Sequence, residues 1–315
     1  MKVVHMSDNP MSGAPYRLGQ TQKLCGIDAR VVNRDDFTNG GPRQRAYPYD
    51  LLTSARPAVL RPILEAADII HYHHRWQDSE LFRQKWAWEI VKHKPSLMQF
   101  HVPRDGRYED VLRDDRVVKL VVAQYHVRMY PECIPVQNAV PIDDEFHRPL
   151  WIENDPPIVA FTPPDCQAGS WWNKGCAETL AVLRQGCRHW FITDRSWHES
   201  MKGRARCDIA IDEIVSGGYH MCSLEALSQG LATIAGLDSQ TIDALESVTG
   251  TRQHPWIVTR PDTLRQTLAE VMADRAYLRA KRAEAREYMD RYWHPEVVVR
   301  RFQEIYRLVL ERHGH

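Results

Sequence analysis

Short runs of β-branched and apolar residues alternate along this chain with stretches whose apolar positions recur at helical spacing. Lys2 to Met6 is the first such run. It gives way to Ser7-Asp8-Asn9-Pro10 and Ser12-Gly13-Ala14, small and polar residues that predict a loop, before a helical stretch that stops at Gly26. Ala29 to Val32 then reads as a second strand. Strand, loop, helix and strand in this order open a parallel βαβ unit. Its first loop falls at the carboxyl edge of the sheet, where open α/β sheets bind ligands. The pattern recurs: Ala67 to Tyr72, Leu97 to His101 and Val117 to Ala123 predict buried strands with helix-compatible segments between them. Such a series predicts a parallel sheet covered by helices on both faces.

Prolines and the polar Glu153-Asn154-Asp155 interrupt the pattern between Arg148 and Pro157, which marks an expected linker. Beyond it the alternation restarts. Ile158 to Phe161, Trp190 to Thr193, Cys207 to Ile211 and Leu231 to Ala235 predict strands, and Gly175 to Gln185 and Cys222 to Gln229 predict helices. From Pro261 the pattern is helical, with a last helix from Pro295 to about Arg312. The expected division is an α/β domain over residues 1–150, a second over 151–294, and a C-terminal helix over 295–315.

Composition narrows the class. A chain of 315 residues with 43% hydrophobic and 26% charged residues has room for two cores, and these values exclude a disordered, fibrous or membrane-embedded protein. Its 41 basic residues balance 41 acidic ones, so no overall field draws it to nucleic acid or an anionic membrane. Seven cysteines stand singly with no CxxC pair, which predicts free thiols in a reducing compartment, and the cytoplasm is the expected location. The N-terminus soon turns polar and no apolar run approaches the roughly 18 residues of a membrane span, so neither a signal peptide nor a transmembrane helix is expected.

The residues from Cys207 to Ala235 carry the clearest chemistry. A strand leads through Asp212-Glu213-Ile214-Val215-Ser216 to Gly217-Gly218-Tyr219-His220, and a helix with Ser223, Leu224 and Glu225 follows. Glycines let a backbone approach a ligand without interference from Cβ, and a helix N-terminus aims free N–H groups and a positive dipole at it, a setting suited to a diphosphate. Glu225, expected in the first turn of the helix, is placed to accept two hydrogen bonds from a vicinal diol such as ribose. The plainer alternative is an ordinary turn with a carboxylate complementing the helix dipole.

The string Gly217-Gly218-Tyr219-His220, Ser223-Leu224-Glu225-Ala226-Leu227 and Gly230-Leu231-Ala232 resembles the donor-site motif of retaining, family-4-like glycosyltransferases (glycosyl transferases group 1). Asn138-Ala139-Val140-Pro141-Ile142-Asp143 with Phe146, Asn173-Lys174-Gly175, Ser12-Gly13-Ala14 and Trp293 to Leu310 are similar to further elements of that family. The resemblance implies an α/β protein of two Rossmann-like domains facing across a cleft (GT-B), with the C-terminal helix crossing back to the N-terminal domain. It also implies an acceptor on the first domain, a nucleoside-diphosphate sugar on the second, and transfer to an acceptor hydroxyl with retention and no metal or other cofactor. Gly13, Lys174, Gly217, Gly218, Tyr219, His220, Ser223, Leu224 and Glu225 make up the implied donor site. Lys174 would add a point charge at the leaving diphosphate and Glu225 would anchor the ribose. His101, at a strand end where the family often has a histidine near the transferred sugar, completes the implied catalytic set with Lys174 and Glu225. Gly217 stands where the family usually has a second glutamate.

Ser12, His73, His74, Arg75 and Arg104 are the expected acceptor wall, because arginines and aromatic neighbours suit phosphate contact and stacking on a sugar face. No metal site is expected: neighbouring strand residues point to opposite faces, so His73 and His74 cannot converge, and HExxH is absent. GxGxxG, Walker A, GxSxG and kinase signatures are absent too, which leaves a nicotinamide-binding claim without support. Two other readings stay open: a nucleotide- or glycan-binding protein without catalysis, and a metal hydrolase built on His71 to His74. The acceptor class is open as well, from small molecule through glycan, lipid-linked glycan and protein to modified nucleic acid.

Overall fold

The computed structural model describes residues 1–35, 49–74, 82, 84–163, 175–193 and 195–314. The chain folds as two compact units, residues 1–141 with 295–315 and residues 142–294.

In the first unit β1 (Lys2–Ser7), β2 (Asp28–Asn33), β3 (Leu51–Leu52), β4 (Ile69–His73), β5 (Ser96–Phe100), β6 (Val118–Val122) and β7 (Ile134–Val136) form one parallel sheet in the order β3-β2-β1-β4-β5-β6-β7. Helices α1 (Ala14–Leu24), α2 (Pro57–Ala66), α3 (Lys85–Val91) and α4 (Glu109–Arg113) lie along the crossovers. α1 follows Gly13, whose φ of 79° closes the loop after β1, and has a proline in its first turn where no N–H is required. Val4, Met6, Ile70, Tyr72, Met98 and Phe100 share one buried cluster, and their neighbours along the same strands are buried too.

The second unit repeats the plan. β8 (Val159–Phe161), β9 (His189–Phe191), β10 (Ile209–Ile211), β11 (Ala232–Ala235) and β12 (Ile257–Val258) form a parallel sheet in the order β12-β11-β10-β8-β9. Its helices are α5 (Cys176–Leu183), α6 (Trp197–Arg204), α7 (Met221–Ser228), α8 (Ser239–Thr249), α9 (Leu264–Ala273) and α10 (Arg275–Tyr292). Local chemistry starts them: Ser196 and Glu199 form a reciprocal capping box on α6, and Asp238 and Asp274 cap α8 and α10. α11 (Pro295–Arg312) belongs to the first unit, where Tyr306 bonds Gln22 and His71.

The proline-rich segment expected to link the domains lies inside the second unit. Buried Asp208 accepts the backbone N–H of Ile158 at 2.8 Å and the Asn154 side chain at 2.9 Å, and it pairs with Arg282, which also donates to the Ile152 carbonyl. These bonds fix the segment to β10 and α10, so the break in periodicity marks a pinned surface strap. Cys25, Cys133, Cys187, Cys207 and Cys222 are free thiols, whereas Cys176 is disulfide-bonded, so the expectation of free thiols throughout fails there. Among the described residues no helix is long and apolar enough to cross a membrane.

Candidate functional site

Open parallel sheets bind ligands at the carboxyl ends of the strands, where the strand order reverses. In the second unit that point lies between β8 and β10, with β9 and β11 on the outer sides. The loop after β10 runs from Asp212 to His220, the N-cap of α7. Gly175, which opens α5 after the β8 loop, packs on it: with φ +76° and an added Cβ only 2.5 Å from Ile214 Cγ1, the position admits only glycine. Lys174 lies outside the described residues. Gly217 has φ +80°, and a Cβ there would overlap the carboxylate of Asp238, whose own N–H donates to the Gly217 carbonyl at 3.0 Å. A glutamate side chain has no room at 217 in this arrangement.

The expected cradle of open amides is corrected here. Buried Glu213 accepts from Ser216 N–H at 2.6 Å and Gly218 N–H at 2.8 Å, and buried Asp212 accepts from His220 N–H at 2.6 Å and the Cys222 thiol at 2.7 Å. Two carboxylates from the loop itself therefore take N–H groups that the sequence offers to a diphosphate, and Asp212 complements the α7 dipole. The signal was present, since Asp212 and Glu213 stand in the same loop, with three residues between Glu213 and Gly217.

Glu225 is corrected as well. α7 begins at Met221 and has no acidic residue in its first turn, so Glu225 falls one turn later than expected. Its Oε1 accepts the Trp197 indole N–H at 2.8 Å and its Oε2 pairs with Arg204 at 2.7 Å. Both oxygens thus tie α7 to α6 instead of facing a pentose. Three more residues of the expected donor set are buried, one in the loop and two on the helix. Tyr219 packs its ring 4.8 Å from that of Trp256, Ser223 accepts the Trp256 N–H at 3.1 Å, and Leu224 is core. Gly217 and the half-buried His220 remain at the loop surface, with Gly218 buried beneath.

In the first unit the strand order reverses between β1 and β4, where His5 and His71 are paired in register. His5, His71 and His73 share one face of the sheet, and His101 follows β5. His5 Nδ1 lies 2.9 Å from His73 Nε2, and His73 Nδ1 lies 2.9 Å from His101 Nε2. His5 Nε2 meets the Gln22 carboxamide oxygen at 2.8 Å. Burial holds His5 down at about 4 and His101 at about 3, and lowers His71 and His73 well below the usual range, so the cluster is neutral at pH 7.

Of the expected acceptor wall, His73 joins this cluster and is buried. His74 turns aside at φ 49° between the rings of Phe100 and Tyr108. Arg104 is saturated by Glu109 and Glu132, at 2.6 and 3.0 Å, and so is not offered to an anion. Ser12 and Gly13 form the turn into α1, and Arg75 lies outside the described residues. Sequence reading missed His5, Gln22 and Tyr306. It weighed the adjacent pair His73 and His74, while the i, i+2 pair His71 and His73 shares a face.

Solved structures match the chain almost end to end. A glycosyltransferase from Rickettsia africae aligns with a TM-score of 0.60 at 11% identity, over 98% of each chain. An α-glucosyltransferase in complex with UDP and a 13-mer DNA aligns with a TM-score of 0.63 at 11% identity, over 97% of this chain and 99% of that one. The fold is GT-B. A third GT-B relative, HepE of Anabaena in complex with UDP and glucose, aligns at 0.60 and 13% identity over 97% and 99%. No family model and no curated protein matches the sequence. The GT-B likeness is therefore one of architecture.

Proposed function

We propose that this protein is a glycosyltransferase that moves a sugar from a nucleoside-diphosphate sugar to an acceptor hydroxyl, with retention and without a metal. The GT-B fold carries the reading, matched over 97% of the chain to proteins whose structures hold UDP, one of them an α-glucosyltransferase. The loop of residues 212–220 supports it by standing at the switch point of the second sheet beside Gly175. There the α7 N-terminus would stabilise a leaving diphosphate as the glycosidic bond loosens, and the sequence resemblance implies the same role for Lys174. Asp212 and Glu213 hold loop amides, so a diphosphate reaching those amides must displace the carboxylates. Glu225 serves this site through Arg204 and Trp197, by holding α6 against α7. Five free thiols support a cytoplasmic location, and the disulfide at Cys176 weighs against it.

Calorimetric titration with UDP, GDP, ADP and dTDP tests the donor class. Turnover with the corresponding sugar nucleotides and NMR of the product anomer then test transfer and stereochemistry. Binding of none of the four at millimolar concentration overturns the proposal. A second reading, a nucleotide- or glycan-binding protein without turnover, is favoured by Gly217 standing where the resembled family usually has a glutamate. Binding without transfer from any donor would select it.

A further inference from the structure

The histidines of the first unit belong to a longer chain of hydrogen bonds that begins on α11. Gln22 donates its carboxamide N–H to the Tyr306 hydroxyl at 2.8 Å, and that hydroxyl lies 2.9 Å from His71 Nδ1. The Gln22 oxygen is thereby turned to His5 Nε2, 2.8 Å away, which must carry a proton. A neutral imidazole has one N–H, so His5 Nδ1 is a bare lone pair, and its 2.9 Å contact requires His73 Nε2 to donate. His73 Nδ1 is then bare in turn and accepts from His101 Nε2 at 2.9 Å. Each ring settles the next.

We propose that Gln22, His5 and His73 are positioning residues that fix His101 in its Nε2–H form, leaving Nδ1 as a hydrogen-bond acceptor at the open end of the chain. Three observations support this. His5 and His73 are 0% and 1% exposed, so no water competes for their nitrogens, whereas His101 is half-buried. Among the described residues nothing bonds His101 Nδ1. Burial keeps each ring neutral, as the relay requires, and the nearby Arg17 cation also opposes a proton on His101. An imidazole offering a lone pair takes a hydrogen bond or a proton from a hydroxyl and repels an anionic oxygen. Resting on the glycosyl-transfer reading, this assigns His101 to a hydroxyl of the sugar or acceptor and away from the diphosphate.

A metal is the rival occupant, since one nitrogen each from His5, His71 and His73 lie within 4.8 Å of one another. The geometry disfavours it. His5 and His73 spend their facing nitrogens on each other, and the His71 and His73 rings stack at 4.3 Å and 15°, which keeps their in-plane lone pairs from converging.

The test uses the full chain labelled with 15N-histidine, without ligand, at neutral pH. Two-bond 1H–15N correlation spectra should show His5, His73 and His101 each with a protonated Nε2 and a bare Nδ1. Gln22→Leu removes the acceptor that orders the relay, and Tyr306→Phe removes the group that orients the carboxamide. Each should convert His101 to a mixture of both tautomers, although neither residue touches it. His101 protonated at Nδ1 or mixed in the parent protein overturns the proposal, and that spectrum decides even where a variant fails to fold. A single unchanged tautomer in both folded variants overturns it too, as does stoichiometric zinc in the purified protein with metal-shifted His5 and His73 signals. Because no nucleotide enters the experiment, failure here is distinct from failure of donor binding.

Discussion

Glu225 pairs with Arg204 at 2.7 Å with the two side chains 6% and 2% exposed, so the carboxylate that the sequence points toward a ligand is an internal tie between two helices. Truncating one partner strands the other charge in the interior. Glu225→Ala should therefore cost about 3–5 kcal/mol in denaturant unfolding, and pairing Arg204→Met with Glu225→Leu should recover most of it. Intact stability with sharply weakened nucleotide binding in Glu225→Ala would instead return the residue to the ribose.

Gly217 predicts a backbone effect. Alanine there must adopt φ +80° and push against the Asp238 carboxylate, so Gly217→Ala should destabilise by about 1–3 kcal/mol. Thermal unfolding should show a fall of about 2–4 °C per kcal/mol for a unit of this size. An unchanged midpoint would mean that the loop has other conformations open to it.

Glu213 separates stability from binding. Glu213→Ala leaves the amides of Ser216 and Gly218 without their acceptor and should cost about 1–3 kcal/mol. The same change frees those amides, so affinity for a nucleoside diphosphate should rise, on the order of tenfold. Calorimetry on the folded variant checks this, and weaker binding would place the diphosphate elsewhere.

Acid should unfold the first unit through its histidines. His5 titrates at about 4 in the folded chain against its usual 6.5, so between these values the unfolded chain binds a proton that the native one refuses. Its stabilising contribution is present above pH 6.5 and is lost as pH falls toward 4, at about 1.4 kcal/mol per pH unit. Urea midpoints measured from pH 7.5 to 4.5 should fall less steeply for His5→Gln than for the parent chain, and parallel curves would show that His5 is already protonated in the native state.

Much of this architecture was legible because parallel strands are buried on both faces and so appear as unbroken apolar runs, as at Val159–Phe161. α11 was legible from its start at Pro295 to its approximate end near Arg312, because proline opens it and its apolar stripe is regular. The two-residue strands Leu51–Leu52 and Ile257–Val258 were missed, since two residues carry no period. At the candidate site the glycine loop was recognisable from composition, but the partners of its neighbours were not. Arg204 and Trp197 lie 21 and 28 residues before Glu225, and only the packing of α6 on α7 brings them to it. The histidine relay was hidden for the same reason, because His5, Gln22, His73 and Tyr306 come from four elements. Arg104 looked available only because Glu132, on the far side of β6, was not visible beside it.

The first unit is built from residues 1–141 together with the final helix. During synthesis Gln22 and His71 leave the ribosome early, and the tyrosine that joins them is added only after the whole second unit, roughly ten to fifty seconds later at ordinary translation speeds. For that interval the nascent sheet holds buried polar groups awaiting a partner. A ribosome stalled before Tyr306 should display a first unit open to proteases, even when the second has already folded.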